Sequence, residues 1–129
     1  MQIDNPQDAN IFIIDTYPLD QDLWQGVKAL CALECIIPDH ALGIVVSPLP
    51  EGICRTHPEV LRYGFQPMEK VRALVESGQV SKVVGHNLVQ GGRLCARTTC
   101  YLASPGVSED DANRMGFQIE EHTSELQSP

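Results

Sequence analysis

Gln25 and Lys28 are the side chains of this sequence whose types and spacing best suit the binding of a small anion. They stand three residues apart, so on a helix both heads can reach one point near its first turn. Backbone N–H groups at a helix N-terminus favour an anion, and Lys28 would add a full positive charge. Trp24 is presented by the same first turns of the predicted helix. The alternative is that Gln25 and Lys28 only solvate an exposed helix face.

The residues around this group predict a strand, a loop and a helix. Residues 10–15 read Asn-Ile-Phe-Ile-Ile-Asp, an apolar run typical of a strand buried on both faces. Open α/β sheets bind ligands beyond the carboxyl ends of their strands, so the junction between strand and helix is a candidate site. The helix can build its apolar face without Gln25 and Lys28. That face would comprise Val27, Leu30, Cys31 and residues 33–35.

A second strand is predicted at residues 41–47. With the first strand and helix it forms a βαβ unit, which is right-handed by strong preference. Pro48 and Pro50 end this strand because neither residue can donate a ladder hydrogen bond. The loop that they begin lies at the same sheet edge as the first loop, so Glu51 and Gly52 join the candidate site by position.

The remaining pattern predicts a fold class of α/β, a three-layer αβα domain with a mainly parallel sheet of about four strands. Residues 1–129 are predicted to form this single domain. Gly91 and Gly92 weaken helix propensity where a helix is predicted. The later elements are helices at 57–63, 67–76, 88–96 and 109–115, a strand at 99–104 and a short edge strand at 117–119.

Size and charge narrow the classes of function. Seventeen acidic residues against nine basic residues give a net charge of −8 without a basic stripe, which argues against a nucleic-acid partner. The sequence has no apolar run of membrane-spanning length and starts without the features of a secretory signal. We therefore expect a cytoplasmic protein with no membrane segment.

The cysteines and histidines give weaker signals. Five cysteines without Cys-x-x-Cys spacing favour reduced thiols and no metal site. Cys31 and Cys35 are expected on the core side of the first helix, and Cys54 has no evident activating base. His86 follows Gly85 and is either an acid, base or hydrogen-bond donor, or a structural group. The other histidines are expected to face solvent: His40, His57 and His122.

Taken in order, these segments resemble the C-terminal domain of the nickel-dependent lactate racemase family, whose members use a nickel-pincer nucleotide. Residues 18–29 look like the family segment Pro-x-Asp-x-x-Leu-Tyr-Gln-x-x-Lys-Ala, with Trp24 in place of the usual tyrosine. Three further positions depart from the family: Asp15 and Thr16 replace a glycine pair, and Asn87 stands where lysine is common. Three later segments of this sequence also resemble conserved segments of the family: Glu51-Gly52, Gly85-His86 and Met115-Gly116-Phe117.

The resemblance implies roles for individual residues. Gln25 and Lys28 would face the substrate in a cleft between two domains, with Lys28 holding its carboxylate. Trp24 would wall the pocket and alter the space for the side chain of the acid. The added carboxylate of Asp15 would either repel an anionic substrate or cap the helix. Supporting positions around the substrate residues would be Asp20, Glu51, Gly52 and His86.

The reaction implied by the resemblance is removal of hydride from C2 of a 2-hydroxy acid, and its return to the opposite face, with histidines as bases. The family carries those histidines and the cofactor on an N-terminal domain that this sequence lacks. We therefore expect no catalytic residue, metal or nickel-pincer nucleotide on this chain alone, and no activity from it alone.

The function expected from the resemblance is the substrate-side domain of a racemase or epimerase acting on a 2-hydroxy acid or sugar acid. An N-terminal catalytic domain would act with it in cis or in trans, and a homodimer would cover apolar surface left by a missing partner. The chain would then be an excised domain, one subunit of a split enzyme or a complete short protein. The rival is a non-catalytic α/β binding or protein-interaction module. Dinucleotide binding is disfavoured because no Gly-x-Gly-x-x-Gly follows the first strand.

Overall fold

The computed structural model describes residues 10–118, which fold into a parallel three-stranded sheet with five helices. This α/β arrangement is consistent with the three-layer αβα domain that the sequence predicts. The strands are β1 (Ile11–Asp15), β2 (Leu42–Val46) and β3 (Thr99–Ala103), in that order across the sheet. The helices are α1 (Leu23–Ile36), α2 (Glu59–Tyr63), α3 (Met68–Glu76), α4 (Lys82–Arg97) and α5 (Glu109–Met115).

Within residues 10–118 the sheet has three strands, one fewer than the predicted number of about four. Where an edge strand was expected at 117–119, Gln118 forms only an isolated parallel bridge with Tyr101, and Ile119 lies outside the described residues. Phe117 is instead a core residue that is 1% exposed and packs edge-on against Phe65. The backbone N–H of Phe117 donates to the carbonyl of Ala112 and closes the end of α5. Phe117 therefore does not pair with a strand, and the bridge at Gln118 does not extend into a ladder through it.

Strand β1 is buried on one face only, whereas the sequence predicts burial on both. Phe12 and Ile14 pack against the core, but Ile11 and Ile13 are 61% and 71% exposed. The apolar run predicts a strand correctly, yet β1 is an edge strand, and its alternate side chains point away from the core. The sheet therefore keeps an exposed apolar face.

Helix α4 starts six residues before the predicted start at Leu88, and two glycines in its interior do not interrupt it. A Cβ at Gly91 would overlap the Phe65 ring, and a Cβ at Gly92 would overlap the backbone of Gln66. These glycines are therefore packing residues, which allow the segment before α3 to lie against the helix. Tertiary packing overrides their low helix propensity.

The expectation that Cys35 lies on the core side of α1 is wrong. Cys35 is exposed and Cys31 is half-buried, because a residue two positions beyond Leu33 points to nearly the opposite side of a helix. All five cysteines are free thiols. Burial raises the pKa of Cys95 and of Cys100 to about 12, which leaves both of them protonated and unreactive at neutral pH. The buried positions of α1 are Leu23, Gly26, Val27, Leu30 and Leu33.

Within residues 10–118, no helix has both the length and the apolar character needed to cross a lipid bilayer.

Candidate functional site

The ammonium of Lys28 and the amide of Gln25 converge on the surface of α1. Nζ of Lys28 donates a hydrogen bond to Oε1 of Gln25 at 3.1 Å, as their spacing predicts. Lys28 is exposed and Gln25 is half-buried. The ammonium keeps further N–H donors, and the Gln25 amide nitrogen can still donate, so one anion can meet both side chains.

The amides at the start of α1 are already bonded within the protein. Leu23 N donates to Gly52 O at 3.0 Å, and Trp24 N donates to Ile53 O at 3.0 Å. Asp22 is the N-cap residue, and its carboxylate accepts from Gln25 N at 2.9 Å. The sequence-based expectation that these N–H groups help to hold an anion is therefore wrong, and any anion near α1 has to be bound by side chains.

The loop after β2 meets the start of α1, as position in the sequence predicts. Leu49 N donates to Asp20 O at 3.1 Å, and Glu51 N donates to Gln21 O at 2.9 Å. Gly52 has a φ of +77°, a left-handed conformation that suits glycine. The residues of this loop thus hold the helix through their backbone atoms. The Glu51 carboxylate is exposed and lies 3.4 Å from Arg55.

Asp15 caps a turn rather than a helix. Its Oδ1 accepts from Tyr17 N at 2.9 Å directly after β1, while the helix is capped by Asp22. The neighbouring Thr16 hydroxyl donates to the Ser47 hydroxyl at 2.5 Å, and both residues are 1% exposed. This buried pair ties the carboxyl ends of β1 and β2 together.

A pocket of about 260 Å³ lies beside Lys28, between α1 and α4. The structure therefore brings Trp24, Lys28 and His86 together, although His86 is far from α1 in sequence. Gln25, Asp20, Glu51 and Gly52 do not line the pocket, and neither does any strand residue. This pocket lies between two helices, whereas the sequence predicts a site at the strand ends. Its lining residues are Trp24, Val27, Lys28, Val83, His86, Asn87 and Gln90.

Trp24 is positioned by contacts on two sides. Its ring lies 4.6 Å from the His57 ring, centroid to centroid, at an interplanar angle of 32°. His57 is predicted to face solvent, and it does so only in part: it packs against the indole while its side chain stays 37% exposed. The cause is the bond between Trp24 N and Ile53 O, which brings the chain after the loop onto α1.

Asn87 is the residue of this site that sequence reasoning missed. It is 6% exposed, and its Nδ2 donates to the carbonyl of Trp24 at 3.2 Å. Its Oδ1 is buried, and no described residue donates to it. The signal was present in the sequence as an asparagine beside buried Leu88 on an apolar helix face. Asn87 links α4 to the first turn of α1 and places a polar residue in the lining of the pocket.

The described residues do not fit a nickel site. From Asn10 to Gln118, no three His, Cys, Asp or Glu side chains are grouped so that they could hold a metal ion.

No family model and no curated protein matches this sequence. Among solved structures, the chain is similar to the lactate racemase apoprotein from Thermoanaerobacterium thermosaccharolyticum, with a TM-score of 0.64 and 17% identity. The similar region covers 92% of this chain and 29% of the racemase chain, so this chain spans less than a third of that protein's length. A likeness at this identity shows the fold alone.

Proposed function

We propose that this chain is the substrate-binding domain of a racemase or epimerase acting on a small 2-hydroxy acid or sugar acid. The observation that carries the proposal is the 3.1 Å contact between Lys28 and Gln25 beside the pocket between α1 and α4. An ammonium with a neighbouring amide suits a ligand that presents a carboxylate next to a hydroxyl group. The similarity in fold to part of a lactate racemase supports the same class of reaction.

Each side chain has a distinct part in this proposal. Lys28 binds the carboxylate of the acid. Gln25 holds the Lys28 head through Oε1 and donates from its amide nitrogen to the hydroxyl or carboxylate oxygen. Trp24 covers the carbon side chain of the acid and excludes water from it. Because the indole is fixed by His57, it limits the size of acid that the pocket accepts.

The redox chemistry belongs to another domain in this proposal. A nickel-pincer nucleotide on that domain would supply hydride acceptance and return, and its histidines would supply the bases. The second domain acts either in the same polypeptide or as a separate subunit. Without it, this chain binds the acid and orients it but does not racemise it.

Binding of lactate to the chain tests the assignment of Lys28. We expect a nuclear magnetic resonance titration with L-lactate to shift the Trp24 indole signal saturably, and Lys28→Ala to weaken binding about tenfold, as loss of a charge-assisted hydrogen bond should. The matched control is Lys70→Ala, an exposed lysine on α3 outside this pocket, which should bind like the wild type. Equal affinity in wild type and Lys28→Ala would remove the basis of the proposal.

Turnover in a complete enzyme tests the reaction itself. The chain, joined or mixed with its cofactor-bearing domain, should convert one enantiomer of the acid into the other in a chiral assay. Lys28→Ala should abolish this conversion while the circular dichroism spectrum of the chain stays that of the folded protein. Full turnover by Lys28→Ala would assign the carboxylate to a different residue.

The alternative is a non-catalytic interaction module, and one observation favours it. Ile11, Ile13 and Val46 remain 61%, 71% and 42% exposed on the same face of the sheet, which is more apolar surface than isolated residues would present. A module that docks through this face should lose its partner on Ile13→Glu and be indifferent to Lys28→Ala. A substrate-binding domain should show the Lys28 effects described above.

A further inference from the structure

A groove of about 400 Å³ runs between α3 and α4, next to the pocket beside Lys28. Its floor is apolar and is formed by Val71 and Val75 of α3 and Val89 of α4. Met68, which is 48% exposed, continues this apolar surface to one end. A volume of this size lies within the range of small-molecule sites, which are typically apolar with a few polar groups.

Gly85 keeps the floor of the groove open. A Cβ at this position would lie only 2.9 Å from methyl groups of Val71 and Val75, so any side chain would crowd the two helices apart. The glycine therefore allows α3 and α4 to approach closely while no side chain projects from that point of α4.

The rim of the groove is positively charged. Arg72, Lys82 and Arg93 line it, which is three of the nine Lys and Arg residues in a chain of net charge −8. None of these three forms an ion pair with a described residue, whereas Arg55 and Arg97 do. Glu76 is the one acidic residue among those lining the groove. The rim thus carries three positive charges and one negative charge above an apolar floor.

We propose that this groove binds an amphiphilic anion, a straight-chain carboxylate of medium length. The hydrocarbon tail lies along Val71, Val75 and Val89, and the carboxylate meets Arg72 or Arg93. The positive charge of the rim complements the carboxylate of such a ligand. The floor consists of valine side chains, so the tail can cover it without burying a polar side chain. From Met68 to Glu76 helix α3 rises about 12 Å, which gives room for an extended chain rather than a compact polar metabolite.

The groove and the pocket beside Lys28 are neighbours with different chemistry. His86 and Gln90 of α4 line both, but Trp24 and Lys28 line the pocket alone, and Arg72, Lys82 and Arg93 line the groove alone. Lys28→Ala should therefore leave binding of the amphiphile unchanged. This separates the present proposal from the proposed function, since either one can fail without the other.

Isothermal titration calorimetry with sodium octanoate and sodium decanoate, each below its critical micelle concentration, tests the proposal. We expect saturable binding of one ligand per chain. Two further methylenes should lower the dissociation constant about 15-fold, because each buried methylene changes affinity by about fourfold. Decyltrimethylammonium, with the same tail and the opposite charge, should not bind measurably.

Variants assign the binding to the groove. The double variant Arg72→Glu with Arg93→Glu should weaken decanoate binding by at least about tenfold. Lys70→Glu, which reverses an exposed charge on α3 outside the groove, is the matched control and should bind like the wild type. Met68→Asp, at an exposed position of the floor, should also weaken binding, and circular dichroism should show all of these variants folded.

Several results would overturn the proposal. They are equal binding of decyltrimethylammonium, equal loss of affinity in Lys70→Glu, and no saturable heat with decanoate. Binding of an acidic amphipathic helix from a second domain to this groove, without binding of decanoate, would likewise identify it as a protein interface.

Discussion

Asn87 shows how a single buried side chain can connect two helices while leaving one of its own atoms unsatisfied. Its Nδ2 holds the Trp24 carbonyl, and its Oδ1 has no partner among residues 10–118. An unsatisfied buried acceptor costs stability, and the gain from one amide hydrogen bond is of similar size. The two effects of Asn87 on the free energy of unfolding should therefore nearly cancel.

Asn87→Leu should accordingly change the free energy of unfolding by less than about 1 kcal/mol, because leucine fills a similar volume and removes both effects together. Urea denaturation followed by circular dichroism measures this. A loss above about 3 kcal/mol would show that Oδ1 has a structural partner, such as an ordered water.

The stability of the protein should depend on pH through Asp39, which lies just beyond the C-terminal end of α1. Arg97 donates a hydrogen bond to its carboxylate at 2.6 Å, and this bond, with the charge of the guanidinium, lowers the pKa of Asp39 below its ordinary value of 3.8. A carboxyl whose pKa is lower in the folded state stabilises the fold above its unfolded pKa. That stabilisation is lost as pH falls through the folded pKa.

Wild type should therefore unfold at a higher urea concentration than Asp39→Asn at neutral pH, and the two should converge as the pH falls below the ordinary pKa of aspartate, near 3.8. The difference at neutral pH should be small because the pair is exposed to solvent. A difference that persists unchanged at low pH would assign the effect to packing instead of charge.

At this scale the sequence could predict only local contacts. The meeting of Gln25 and Lys28 follows from helix geometry, since the two residues belong to one turn. Other contacts join residues that are distant in sequence. The first amides of α1 donate hydrogen bonds to the carbonyls of Gly52 and Ile53, and the His57 ring packs against Trp24. A local sequence pattern cannot predict such contacts. The prediction that the amides of the helix end bind an anion was therefore wrong, whereas the predicted contact between Gln25 and Lys28 is confirmed.

The helices illustrate how packing decides what a glycine does. Gly26 in α1 has room for a methyl group, with its nearest neighbour, Leu19 O, at 3.4 Å from an added Cβ. Gly91 in α4 lies against the Phe65 ring and has none. The same substitution should therefore have opposite effects on stability in the two helices.

Gly26→Ala should stabilise the protein by up to about 1 kcal/mol through improved helix propensity. Gly91→Ala gains the same propensity but should destabilise by about 1–3 kcal/mol, because Phe65 must move. Thermal and urea denaturation of both variants measure the contrast. If Gly91→Ala were as stable as Gly26→Ala, the helix and Phe65 would not be in close contact.

Element identity was predictable from hydrophobic pattern, but the extent and burial of elements were not. The strands β1, β2 and β3 and the helix α1 lie where their apolar residues and proline breaks indicate. Helix α4 begins at Lys82, where the Ser81 hydroxyl caps it by accepting from Val84 N, and α3 and Phe65 pack against its glycines further along. The exposure of β1 depends on its position at the edge of the sheet. A short apolar run does not indicate whether a strand lies at the edge or in the centre of a sheet.

On the scale of the whole molecule, the apolar face of the sheet is the feature most relevant to assembly. Ile11 pairs in register with Leu42, and Ile13 with Ile44, so their exposed side chains form one continuous surface with that of Val46. A surface of this kind on a free domain favours association with a partner or with a second copy.

Sedimentation velocity over a range of concentrations should show self-association of the wild type, and Ile13→Glu should abolish it by placing a charge in that surface. Val83→Glu is a matched control, since Val83 is 63% exposed but lies on α4. A wild type that stays monomeric at every concentration, or loss of association in Val83→Glu, would assign no role in self-association to the sheet face.

The two backbone hydrogen bonds from Leu23 and Trp24 to the loop of Gly52 and Ile53 couple this loop to the pocket between α1 and α4. Because this loop accepts hydrogen bonds from the first turn of α1, a change in its length or composition would rotate or shift that turn. Trp24 would move with the turn, and the shape of the pocket that it lines would change. The shape of the pocket can therefore change through the loop, while Lys28 and Gln25 keep their contact.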